Sequence, residues 1–111
     1  MTVCRRVVFS VLALTMATLS PAAGRAADPS FDCDRPKGEI ETLICGDDEL
    51  AALDVELAKA FAGALARSAA NNVQDLRSSQ DDWVKARNAC RQADDKRGCA
   101  IDAYRKRLGE I

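Results

Sequence analysis

Apolar positions recur at steps of three and four along most of the chain beyond residue 38. The longest run is Leu50, Leu53, Leu57, Ala60, Phe61, Ala64 and Leu65, a stripe that predicts an amphipathic helix over 48–68. Asp54, Glu56, Lys59 and Arg67 lie off that stripe. The SAANN stretch at 68–72 reads as a turn, and its place predicts an antiparallel return. Val73, Leu76, Gln80, Trp83, Ala86 or Arg87, and Cys90 share one face of that return helix, over 73–91. RQADDKRG (91–98) is a polar connection, and Ile101, Tyr104, Leu108 and Ile111 mark a last helix over 98–109. Ahead of these, Ile40, Leu43 and Ile44 sit on one side of a short helix within 38–45, after a turn-rich extended segment at 27–37. Gly46 suits its C-terminal cap in a left-handed conformation. Asp47 then caps the next helix, with Asp48 and Glu49 at its positive end. Strand-like alternation is scarce. The fold expected is all-α: a small disulfide-stapled helical bundle of about three main helices plus a short N-terminal helix.

The first residues follow another pattern. Arg5 and Arg6 precede an uncharged apolar run from Val7 to Leu19, then Pro21 and the small residues of PAAGRAA. A positive start, a short apolar stretch and a small-residue exit describe a secretory signal peptide. The run is shorter than the roughly 20 residues a membrane span needs. Cleavage after Ala26 divides the chain into a signal at 1–26 and one domain at 27–111, with cleavage near Ala23 as the rival. The expected product is periplasmic or secreted, with no stable membrane insertion after cleavage.

Removing the signal changes both the charge and the cysteine count. Loss of Arg5, Arg6 and Arg25 takes the basic residues from 16 to 13 against 17 acids, a net charge near −4. Such a protein lacks the basic footprint that nucleic acid or an anionic membrane requires, and it favours a basic protein partner. Cys4 leaves with the signal, so Cys33, Cys45, Cys90 and Cys99 remain. An even number in a small exported domain argues for disulfides. Their separations are twelve and nine and histidine is absent, which fits neither a zinc site nor a CxxC redox pair. Four cysteines allow three pairings. The favoured one is 33–45 with 90–99, because both bonds are local.

Candidate chemistry is sparse. Without histidine there is no Ser-His-Asp or Cys-His arrangement, and neither a nucleophile elbow nor a phosphate-cradling loop is present. No enzyme activity, cofactor or metal is expected. The carboxylate pairs Asp47-Asp48, Asp81-Asp82 and Asp94-Asp95 read as helix caps and solvated surface. Trp83 and Arg87 stand four apart, so their side chains can stack. They form either an exposed anchor for a partner or, the favoured reading, a core tryptophan covered by the arginine. Tyr104 and Arg107 pose the same choice. Gln80, on the apolar face, is expected to satisfy backbone or a neighbouring side chain.

Taken together, FDC (31–33), IETLIC (40–45), DDELAALDVEL (47–57), the Gln80–Trp83–Arg87–Cys90 series, Cys99 and the Tyr104–Arg107 pair resemble the LprI family, the lysozyme-inhibitor LprI-like domain. The resemblance spans nearly all of the expected mature chain. It implies a small exported helical domain with paired cysteines and, for the member that names the family, inhibition of lysozyme. Gly38 and Asp48 stand where helix-starting prolines are common in the family, and no lipid-attachment cysteine follows the apolar run. Because the family pattern is mostly framework, it names no contact surface. The surface expected to meet a protein partner, lysozyme in the first instance, is acidic: Asp47, Asp48 and Glu49, or Asp94 and Asp95.

Overall fold

A computed structural model describes residues 28–111; the expected signal peptide lies outside the described residues. The elements follow in order as α1 (Glu39–Cys45), α2 (Asp48–Arg67), α3 (Ala70–Asn88), a short 3-10 turn (Ala89–Gln92) and α4 (Lys96–Glu110). Among the described residues there is no strand, and no helix is long and apolar enough to cross a membrane. The all-α bundle expected from the pattern is the one found.

Several boundaries differ from the pattern, each for a local reason. The turn between α2 and α3 shrinks to Ser68 and Ala69, and the asparagines of SAANN enter the first turn of α3. The return helix stops at Asn88 and tightens into the 3-10 turn that carries Cys90. The last helix starts at Lys96, two residues early, because the Asp95 side chain accepts the Gly98 backbone N–H at 2.8 Å and caps it. Gly46 ends α1 with φ −96° rather than in the left-handed region. The glycine that uses its freedom is Gly38, at the start of α1, with φ +100°.

The buried core comes from Ile40 and Ile44 of α1, Leu50, Ala51 and Leu57 of α2, Cys90, and Ala100, Ile101 and Tyr104 of α4. Phe31, Leu43, Leu53, Trp83, Cys99, Leu108 and Ile111 pack around it. α3 contributes no fully buried apolar side chain; its single buried residue is Arg87.

α4 is the hub. It runs parallel to α2, with Arg97 paired to Asp47 and Tyr104 bonded to Asp54, and antiparallel to α3, with Arg107 bonded to Gln80 and Cys90 joined to Cys99. α2 and α3 are therefore antiparallel, as expected, but each packs mainly on α4 and they touch each other little. The stripe on α2 is accordingly buried only at Leu50 and Leu57, while Phe61, Ala64 and Leu65 stay half-buried.

Both local disulfides are present: Cys33–Cys45 ties the N-terminal segment to α1, and Cys90–Cys99 ties the end of α3 to the start of α4. Their Cα separations of 5.8 and 5.6 Å lie where such bonds form without moving the backbone.

Candidate functional site

Arg87 lies at the centre of a buried polar network. It is 4% exposed, deeper than the half-buried Trp83, so the expected order of burial is reversed. Its Nη1 donates to the Tyr104 hydroxyl at 3.1 Å, and its Nε and Nη2 donate to Asn88 Oδ1 at 3.1 and 2.9 Å. Two carboxylates flank the guanidinium, Glu41 at 3.8 Å and Asp54 at 3.9 Å. The rings of Phe31, Trp83 and Tyr104 surround it with centroids 5.8, 5.6 and 6.0 Å away, distances at which a cation gains from the ring faces. Tyr104, fully buried, donates to Asp54 Oδ1 at 2.6 Å. Burial, reinforced by the bond to Asp54, pushes its phenol well above the ordinary tyrosine range, so it stays neutral and keeps its proton to donate. Trp83 meets Tyr104 edge-on at 5.0 Å and donates its indole N–H to the Ala103 carbonyl at 3.1 Å.

Asp54 was expected off the apolar stripe and is instead 4% exposed. It also accepts the Ser30 backbone N–H, which draws the N-terminal segment onto the core. The spacing held a signal for this. Leu50, Asp54, Leu57 and Phe61 follow steps of four, three and four, so Asp54 occupies a core position that the polarity of its side chain disguised. Glu41, also buried, accepts the Lys37 backbone N–H at 3.1 Å as well as facing Arg87. At the other end of the hub, Arg107 Nε donates to Gln80 Oε1 at 3.0 Å and Nη1 pairs with Glu110 at 3.2 Å; its Nη2 finds no acceptor among the described residues. These groups largely satisfy one another, and what the arrangement does chemically is lock four segments together.

The five acidic residues expected to face a partner divide into two kinds. The Asp47 side chain accepts the Leu50 backbone N–H at 3.0 Å and capped α2 as expected, while Arg97 reaches both Asp47 at 2.6 Å and Glu49 at 2.7 Å. The Arg97 hydrogen bond, helped by the Leu50 N–H, holds the Asp47 carboxyl below the ordinary aspartate range. Glu49 also takes Arg105 at 3.1 Å, and Asp95 is committed to its cap. Asp48 and Asp94 face solvent and form no ion pair among the described residues. The acidic corner that the sequence displays is thus largely neutralised by cations from α4.

Two shallow grooves flank Trp83. One, of about 190 Å³, opens between α2 and α3 beside Leu57, Phe61 and Val84, with Asp54 and Arg87 at its base. The other, of about 320 Å³, runs along α3 and α4 between Trp83, Ala86, Ala103 and the Cys90–Cys99 bond. Among the described residues, no three His, Cys, Asp or Glu side chains gather where a metal ion would sit. Of the residues on which the resemblance rests, Gln80, Trp83, Arg87, Tyr104, Arg107 and the four cysteines lie in the network, the core or the disulfides, while Asp48, Glu49 and Glu56 are exposed.

The family model described as lysozyme inhibitor LprI matches residues 33–111. The chain belongs to the LprI family. LprI relatives include proteins named "Lipoprotein LprI" from Mycobacterium bovis and Mycobacterium tuberculosis, each 40% identical over 96 residues. The alignment covers 85% of this chain but 44% of the relative, so the chain spans less than half the length of those LprI proteins. No solved structure is a significant match.

Proposed function

We propose that this chain is exported, released from a signal at 1–26, and acts outside the cytoplasm as a 27–111 domain that inhibits lysozyme-type muramidases by binding them. The match to the lysozyme inhibitor LprI model over residues 33–111 carries the reading. The apolar leader, the paired cysteines and the net negative charge against a basic enzyme support it. Charge of opposite sign speeds encounter and fades with salt. The protein works by occlusion and is no enzyme.

The test is lysis of bacterial cell walls by several lysozyme types with purified 27–111 protein added. Dose-dependent protection, weakening as ionic strength rises, is the expected outcome. An unchanged lysis rate at excess protein, together with no heat of binding in calorimetry, overturns the reading.

A second reading is an envelope module for a partner other than lysozyme. It is favoured by one observation: the tryptophan, arginines, tyrosine and cysteines that carry much of the family likeness are engaged within the domain, so they specify a scaffold and leave much of its surface free to vary. Recovery of a single non-lysozyme partner from envelope extract on the immobilised domain, without muramidase, is the outcome that selects it.

A further inference from the structure

The α2–α3 hairpin departs from the rest of the molecule in two ways. No residue from Ala58 to Ala86 is buried, although this stretch holds the distal halves of the two longest helices. Its last pairing to α4 in the network is Gln80 with Arg107. From Gln80 to Ala70 the helix runs on for ten residues, about 15 Å at 1.5 Å per residue. The second departure is in charge. The described domain carries 17 acidic residues, yet Leu57 to Gln74 contains none, only the cations Lys59 and Arg67. Around the single cation Arg67, the tip is built of small or neutral side chains: Ala66, Ser68, Ala69, Ala70, Asn71 and Asn72. Both asparagines are exposed, and neither carboxamide is bonded to another described residue.

A glycoside hydrolase cleaves between two carboxyl groups that flank the scissile bond at the floor of its cleft. Acidic side chains pushed into that cleft meet like charge. A neutral carboxamide donates to an ionised carboxylate and accepts from a protonated one. The two helices also meet at a turn of only two residues, Ser68 and Ala69, so the tip is narrow, each helix about 10 Å across, and can enter an extended polysaccharide groove. We propose that the tip of the α2–α3 hairpin, residues 66–74, enters the carboxylate-lined cleft of a muramidase and blocks it. The inference rests on the inhibitor reading above and moves the contact away from the acidic corner. The overall negative charge serves encounter, and the acid-free tip serves fit.

Ala69 precedes α3 without providing a side-chain cap. Ala69→Asp supplies one, so it stabilises the helix while placing a carboxylate at the tip. The experiment compares wild type, Ala69→Asp, Asn72→Asp and the distal control Asp94→Asn, which leaves the domain net negative, in the lysis assay, with a thermal melt of each. We expect Ala69→Asp to melt no lower than wild type yet inhibit about tenfold more weakly or worse, because a like charge now faces the cleft. Asn72→Asp should weaken inhibition as well, and the control should inhibit much as wild type does. Lysozyme saturated with a chitin oligosaccharide should no longer bind the protein. Wild-type inhibition by Ala69→Asp, or undiminished binding to the sugar-loaded enzyme, overturns this placement and leaves the inhibitor reading standing. A wild-type protein that does not inhibit at all overturns both.

Discussion

At the scale of the residue, Arg87 decides more than any other side chain. It is the single cation between Glu41 and Asp54. Arg87→Ala leaves two buried carboxylates without their counter-charge, a loss of about 3–5 kcal/mol, expected as a large drop in the urea midpoint. Arg87→Lys should recover only part of it, because an ammonium cannot serve Tyr104 and Asn88 through separate nitrogens. Tyr104 offers a cleaner signal, since it is the only tyrosine. Its folded value is raised, so the stability it contributes is fully present below the unfolded value near 10 and is lost as pH climbs above it. Tyrosinate absorbance should therefore stay flat through about pH 10, where a free tyrosine titrates, and then rise together with loss of the Trp83 near-ultraviolet signal. Ionisation near pH 10 with Trp83 undisturbed would contradict the buried bond to Asp54. The sequence placed Trp83, Arg87, Tyr104 and Gln80 on shared faces correctly. It put Trp83 deeper than Arg87, the reverse of what is found, because periodicity gives direction while depth depends on which neighbouring helix arrives. Asp54 and Glu41 were illegible for the same reason: a carboxylate is buried only where a cation meets it, and Arg87 is 33 and 46 residues away.

At the scale of the element, the helices were legible because stripe, cap and turn residues agreed. The misreadings fall where one backbone angle matters. Gly46 and Gly38 flank the same short helix, and composition could not tell which takes the positive φ. Gly38→Ala forces a side chain into a region that is nearly glycine-only and should cost about 1–3 kcal/mol, whereas Gly46→Ala, at φ −96°, should be tolerated. A thermal melt of the pair separates them. Asp47→Ala removes the α2 cap and should cost about 1 kcal/mol. Because the Asp47 carboxyl is held low when folded, its contribution is present above the unfolded value near 4 and disappears as pH falls through the folded one. The gap between wild type and Asp47→Ala should close in strong acid, measured by urea titration at several pH values.

At the scale of the whole molecule, two staples, the core and the polar network all gather around α1, the 3-10 turn and α4, while the hairpin stands clear. Each bond closes a short loop and restricts the unfolded chain by about 3 kcal/mol on the loop-entropy estimate, a large share of what a domain this small has. Cys90→Ala/Cys99→Ala should lower stability by about that amount and loosen the α3–α4 corner first, read by hydrogen exchange at Ala100 and Ile101. The pairing was legible from sequence locality. The candidate contact was not, because the acidic corner met its own cations from 50 residues away, and the projection of the hairpin depends on where α4 packs, which no window of sequence contains.

The locality of the crosslinks also bears on how the protein is made. A polypeptide that crosses a membrane N-terminus first delivers Cys33 and Cys45 to the oxidant while Cys90 and Cys99 are still behind it. Oxidation in order of emergence then joins native partners directly and leaves nothing to reshuffle. Bacteria lacking a disulfide isomerase are expected to yield as much thiol-free, correctly paired protein as their parents.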